Sequence, residues 1–160
     1  MNYAKIQKMD IANGLGIRTV IYFTGCKFHC HNCQNKELWD FRKGKIFGED
    51  AKKQLFEALS NVHVKGLSVL GGEPLQQGNE LFELLKEVRE KFKNKDIWLW
   101  TGYYINELND EQKNIISLCD YVVDGRYEES LRDLSLYFRG SSNQTIWENK
   151  NGKFVKSSLN

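Results

Sequence analysis

The chain has 160 residues, enough for one domain with a substantial core and too few for two ordinary ones. Its 23 Lys and Arg are scattered among 21 Asp and Glu, a formal charge of +2 without a basic run, so nucleic acid is not an expected partner. No stretch approaches the ~20 apolar residues of a membrane span, and the opening MNYAKIQKMD lacks the apolar core of a signal peptide, so a cytoplasmic protein without a membrane partner is expected.

In chain order, IRTVIYFTG (17–25) is β-branched and aromatic and reads as a strand. A loop with three cysteines follows it. Over residues 49–61, Ala51, Leu55, Leu59 and Val62 recur at helical spacing, and GLSVLG then reads as a second strand. Leu81, Leu84, Leu85, Val88 and Phe92 trace another helix, before a strand at DIWLWTG (96–102). A shorter helix around 111–118 leads to the strand YVVDG. LYFRG (136–140) is a candidate for another strand, and TIWENKNGKFV reads as a hairpin turning at Asn151 and Gly152.

This alternation predicts an α/β fold with parallel strands joined by right-handed crossovers. A complete eight-unit barrel needs ~200 residues or more, so about four βα units predict a partial, open (βα) barrel with a C-terminal strand or hairpin extension, one domain over residues 1–160.

Cys26, Cys30 and Cys33, in TGCKFHCHNCQNKELWD, have C-x3-C-x2-C spacing. A cubane iron-sulfur cluster has four irons and usually four thiolate ligands, so a loop supplying three leaves one iron open to another ligand. Zinc is a second reading, with His29 or His31 completing a tetrahedron, although zinc modules usually draw ligands from two separated pairs and no second pair follows. Three clustered cysteines fit a disulfide framework poorly. Cys119, in an apolar context, reads as a small buried hydrophobe. His29, His31 and His63 read as polar loop or surface residues.

Glycine-containing turns close the later strands: LGGEPL (70–75), WTGY (100–103) and VDGRY (123–127). Ligands of parallel α/β folds bind at the strand C-terminal edge, so these turns and the cysteine loop are expected on one rim. Gly71 and Gly72 lack a Cβ and would let the backbone approach a ligand. Glu73 is a candidate for hydrogen-bonding a bound ammonium, against the alternative of a solvent-facing turn carboxylate. Arg126 and Arg139 are candidates for steadying a carboxylate or a partner protein, against a reading as ordinary strand-end arginines. Trp98, Trp100, Tyr103 and Tyr104 could line a pocket, but alternating aromatics more often pack the core.

The cysteine spacing followed by GGEP on the next strand resembles the radical S-adenosylmethionine superfamily. The segments NGLGIRTVIYFTGC, CQNKELWD, WLWTGY, YVVDGRY and FRGSSNQ occur in the order seen in anaerobic ribonucleoside-triphosphate reductase activating proteins, a likeness running over about residues 10–144. The resemblance implies that Cys26, Cys30 and Cys33 ligate one 4Fe-4S cluster whose fourth iron chelates the amino and carboxylate groups of S-adenosylmethionine. It implies an oxidoreductase that cleaves this sulfonium with one electron, the 5'-deoxyadenosyl radical then taking a hydrogen atom from a glycine of the reductase.

No side chain acts as general base or nucleophile in that scheme. Asn32, Cys33 and Gln34 would approach the adenosine, and Gly71, Gly72 and Glu73 the methionine end. The chain departs from the subfamily, which often has Gly at the position of Asn32 and Tyr where Gln34 stands. The resemblance also suggests reduced flavodoxin as electron donor and pairing of the activase with itself. A pyruvate formate-lyase activase or a small-molecule modifier is the nearest enzymatic alternative, and a non-catalytic zinc-binding module the alternative from another class.

Overall fold

A computed structural model describes residues 1–160. The chain opens with β1 (Asn2–Asp10) and turns back into β2 (Arg18–Phe23). After the cysteine loop come β3 (Lys45–Ile46), α1 (Glu49–Leu59), β4 (Gly66–Gly71), α2 (Asn79–Lys91), β5 (Asp96–Trp100), α3 (Asp110–Ile116) and β6 (Tyr121–Asp124), then the hairpin of β7 (Thr145–Lys150) and β8 (Lys153–Lys156). All strands join one open sheet in the order β3-β1-β2-β4-β5-β6-β7-β8. β2, β4, β5 and β6 are parallel. Antiparallel β1 and β3 extend one edge, and antiparallel β7 and β8 the other.

Period-two alternation sorts the parallel strands into two faces. Ile21, Phe23, Leu67, Val69, Ile97, Leu99 and Val122 point into the main core, where Leu55 and Leu59 of α1, Leu81, Leu85 and Val88 of α2, and Ile115 of α3 cover them. Burying each such side chain stabilises the fold by about 1.5–3 kcal/mol. Local chemistry sets the helix starts: in α3, Asn109 Oδ1 accepts from the Gln112 N–H at 2.8 Å while Gln112 Oε1 accepts from the Asn109 N–H at 3.1 Å, a reciprocal capping box.

The opposite face carries no helix. There Trp98 is fully buried, stacked on Tyr121 at 4.4 Å and on Trp100 at 5.6 Å, with Phe138 edge-on at 5.3 Å. Leu15 and Leu159 also pack on this second cluster, so connecting segments and the C-terminal residues cover what helices cover on the other side. Beside Trp98 lies Arg18, also fully buried. Its guanidinium pairs with Asp96 at 2.7 Å and donates to Ser68 Oγ at 2.7 Å, Leu15 O at 3.0 Å and Leu67 O at 2.9 Å. Desolvation holds its pKa below the usual arginine value, and Asp96 opposes that shift.

Several expectations are corrected. β1 and β3 lie where no strand was expected: NYAKIQKMD mixes lysines among its apolar residues because only Tyr3 of β1 is buried. LYFRG is not a strand. Phe138 has φ +58°, which breaks an extended run, and its carbonyl accepts from Trp100 Nε1 at 2.8 Å. Val62 lies beyond the end of α1 and is 86% exposed rather than on its apolar face. β2, β4 and β5 each lead to a helix, whereas β6 leads through residues 125–144 to antiparallel β7, so three strand-helix units are complete. The terminal hairpin turns at Asn151 and Gly152 as expected, both at positive φ. No helix is long and apolar enough to cross a membrane.

Candidate functional site

The cysteine loop leaves the C-terminal end of β2 and is closed at its base. Gly25 N–H donates to Leu38 O at 2.6 Å and Cys26 N–H to Trp39 O at 3.0 Å. Inside the loop, Cys33 N–H donates to Cys30 O at 3.1 Å, and the Asn35 N–H points at Cys33 Sγ from 3.4 Å. His29 and Asn32 adopt positive φ, +50° and +55°, so the chain can double back between the cysteines. Asn tolerates this left-handed region better than most residues, which accounts for an Asn at this point of the loop. The His29 ring stacks on Trp39 at 4.3 Å.

Gly71 and Gly72 do their first work against this loop's stem. A Cβ on Gly72 would meet Gly25 O at 2.4 Å, and one on Gly71, at φ +149°, would meet Phe23 O at 2.3 Å. The space their missing side chains leave is filled by backbone: Gly72 N–H donates to Phe23 O at 3.0 Å and Glu73 N–H to Gly25 O at 2.7 Å. Gly72→Ala should therefore force the two turns apart and destabilise the fold by about 1–3 kcal/mol. Thermal unfolding and iron content after anaerobic reconstitution check this, with both expected to fall.

Glu73 is buried, contrary to the solvent-facing alternative. Its Oε2 accepts from the Leu75 N–H at 2.8 Å and the Thr101 hydroxyl at 2.9 Å, and Oε1 accepts from the Gly102 N–H at 2.5 Å. Burial pushes its pKa up to about 7 against these three donors. Glu73 thus latches the GGEP turn to the WTGY turn.

The motif segments converge on one cavity of about 410 Å³ at the C-terminal edge of the parallel strands. Cys26, Cys30, Cys33, Gln34, Gly71, Gly72 and Glu73 line it, together with Trp100, Thr101, Gly125 and Arg139. Asn32 is exposed, and neither it nor Arg126 is among the lining residues. Asn143 and Gln144 of FRGSSNQ clamp VDGRY, donating to Arg126 O at 2.7 Å and Gly125 O at 2.9 Å. Arg139 donates to Gln144 O and Asn160 Oδ1, both at 3.1 Å.

Sequence reasoning missed Gln76 and Gln77, which follow GGEPL. Gln76 accepts from the Lys27 N–H at 2.9 Å, and Gln77 donates to Thr24 O at 3.0 Å, so both tie the cysteine loop to the GGEP turn. Two adjacent polar residues beside a strand-end turn were the only available signal.

The donor set fits an iron-sulfur group. Burial, the largest influence on each, pushes the Cys26 and Cys30 thiols up, and the charge of Glu73 adds to the effect on Cys26. Buried thiols with a carboxylate nearby become thiolates readily only against a bound cationic centre. No group of three His, Cys, Asp or Glu side chains is arranged to hold a single metal ion. Thiolates that each bind a different iron need not converge in this way. Cys119 lies elsewhere, buried between α3 and β6.

Comparison with known proteins bears on the same residues. A family described as a 4Fe-4S single cluster domain matches residues 12–147. The anaerobic ribonucleoside-triphosphate reductase-activating protein of Enterobacteria phage T4 is 39% identical over 154 residues, 95% of this chain and 97% of that protein. Its namesake in Escherichia coli (strain K12) is 37% identical over 150 residues, 91% of this chain and 97% of the relative. The one in Pasteurella multocida (strain Pm70) is 37% identical over 153 residues, 92% and 97% respectively. With the family match spanning the cysteine loop and all three glycine turns, the chain belongs to the anaerobic ribonucleoside-triphosphate reductase-activating proteins, a family built on a 4Fe-4S single cluster domain.

Proposed function

We propose that this protein activates an anaerobic ribonucleoside-triphosphate reductase as a radical S-adenosylmethionine enzyme, generating a glycyl radical on the reductase. The observation that carries the reading is the pairing, across one cavity, of three cysteine thiols with a buried carboxylate that has no cationic partner. Cys26, Cys30 and Cys33 would hold the cluster. Bound there, a 4Fe-4S cluster supplies one electron for reductive cleavage of the sulfonium and an open iron for the amino acid end of the ligand.

The chain's own part is positioning. Glu73, fixed by Leu75, Thr101 and Gly102, would accept an N–H of the ligand's amino group on its carboxylate, a charge-assisted contact. Gly71 and Gly72 set that carboxylate against the cysteine loop, and Gln34, in the same cavity lining, would meet the adenosine.

The same reading takes residues 1–160 as one radical S-adenosylmethionine domain whose sheet curls as a partial barrel. Its support is the cavity at the C-terminal edge of four parallel strands, where barrel enzymes bind ligands. It also includes a cytoplasmic setting, reduced flavodoxin or a similar one-electron donor, and a homodimer. The test incubates reduced, reconstituted protein and S-adenosylmethionine with candidate glycyl radical enzymes and records electron paramagnetic resonance. A glycyl radical signal is expected with the reductase, and a signal only with a lyase would overturn the assignment.

A further inference from the structure

Phe28 lines the cavity from within the cysteine loop, and Arg126 packs on its ring from outside the lining; neither is a cysteine of the loop. Phe28 is the central residue between Cys26 and Cys30. Its ring lies against Gly102, where a Cβ would come within 2.8 Å of it, and meets Tyr103 edge-on at 4.7 Å. The Arg126 guanidinium covers the Phe28 ring at 5.1 Å and the Tyr104 ring at 5.2 Å. It is anchored on Glu107 at 2.9 Å, with Gly102 O at 3.4 Å. The VDGRY turn that carries it is itself clamped by Asn143 and Gln144.

We propose, on the reading that the three cysteines carry a 4Fe-4S cluster, that Arg126 is a positioning residue for that cluster. It pins Phe28, and with it the segment between the first two cysteines, against the 101–104 turn, and it fixes a positive charge on that segment that makes the cluster easier to reduce. Cation–aromatic contacts on two faces and an ion pair hold the guanidinium far more narrowly than a free surface arginine. Reduction adds one negative charge to the cluster, so a nearby fixed cation stabilises the reduced form more than the oxidised one and raises the potential. Glu107 partly offsets that cation, and its removal acts in the opposite direction.

The test is a mediated redox titration of the reconstituted full chain, with iron content and melting temperature recorded for each variant. Arg126→Gln is expected to move the midpoint potential to more negative values, Arg126→Lys to restore most of the shift, and Glu107→Gln to move it to more positive values. The KM for S-adenosylmethionine should stay within about twofold of wild type in Arg126→Lys, on the order of the noise for a contact not lost. An unchanged potential in Arg126→Gln, or a raised KM with no shift in potential, overturns the proposal, the second by making Arg126 a ligand contact. Should Arg126→Gln fail to fold, the sign of the Glu107→Gln shift decides the matter. Absence of a cluster in the wild-type protein would instead refute the underlying cysteine reading.

Discussion

Cys26→Ala, Cys30→Ala and Cys33→Ala are each expected to abolish reductive cleavage of S-adenosylmethionine, while Cys119→Ala retains it. The loss should exceed about 100-fold, since removing an outer-shell partner of a metal site already costs 10- to 100-fold. The three thiols line one cavity, and no other sulfur is within that site to replace one of them. Cys119 packs in the main core, with Sγ 3.8 Å from Ile115 O, and burial pushes its thiol far up, so it is chemically inert. Iron and sulfide content, with 5'-deoxyadenosine formed under dithionite, measure both halves. Full cleavage by any of the first three variants would remove that cysteine from the ligand set.

Glu73 provides the second large effect, in pH dependence. Its carboxyl is pushed from an ordinary 4.5 to about 7 by burial. The folded protein therefore holds this proton more tightly than the unfolded chain. The resulting stabilisation is complete below about pH 4.5 and is lost as pH rises through about 7. A shift of this size corresponds to about 3 kcal/mol at full titration. Denaturant unfolding of the ligand-free protein between pH 5 and 8 should show this slope, and Glu73→Gln should remove it. The slope carries the test, because an amide facing the N–H donors of Leu75 and Gly102 lowers stability at every pH.

Ligand binding reverses the balance. An amino group donating to Glu73 favours the carboxylate, and a carboxyl with a pKa of about 7 is half protonated at pH 7, so S-adenosylmethionine binding there is expected to release about half a proton from Glu73. Calorimetry in two buffers of different ionisation enthalpy measures it. Glu73→Gln should lower the release by that amount and weaken binding by about 10- to 100-fold, the worth of a hydrogen bond to a charged group. An unchanged proton release in Glu73→Gln would contradict the contact between this carboxylate and the ligand's amino group.

The parallel strands and their helices were legible because each signal was local and redundant. Leu81, Leu84, Leu85 and Val88 repeat at helical spacing, and all four are buried. β1 was illegible for the opposite reason: near a sheet edge and mostly exposed, it needs little apolar alternation. The aromatic run at Tyr137 and Phe138 imitated a strand because Phe138 serves the Trp98 cluster through a left-handed turn.

At the site, the cysteine cluster was legible because its three thiols lie within one loop. The burial of Glu73 could not be read, because Leu75, Thr101 and Gly102 converge on it only once β4 and β5 are side by side. Gly72 was marked as a point where a ligand comes close. What approaches it is the Gly25 carbonyl of the cysteine loop's stem.

Arg18 ties these strands into a single event of assembly. Its guanidinium, rooted on β2, is satisfied by Ser68 and Leu67 of β4 and by Asp96 of β5. An intermediate lacking β5 would strand a buried cation, and breaking such a pair costs about 3–5 kcal/mol. The strands bearing the cysteine loop, the GGEP turn and the WTGY turn are therefore expected to form together. Partial unfolding that opens the site while leaving its supports intact is disfavoured, so the cluster's surroundings should exchange amide hydrogens as one cooperative unit.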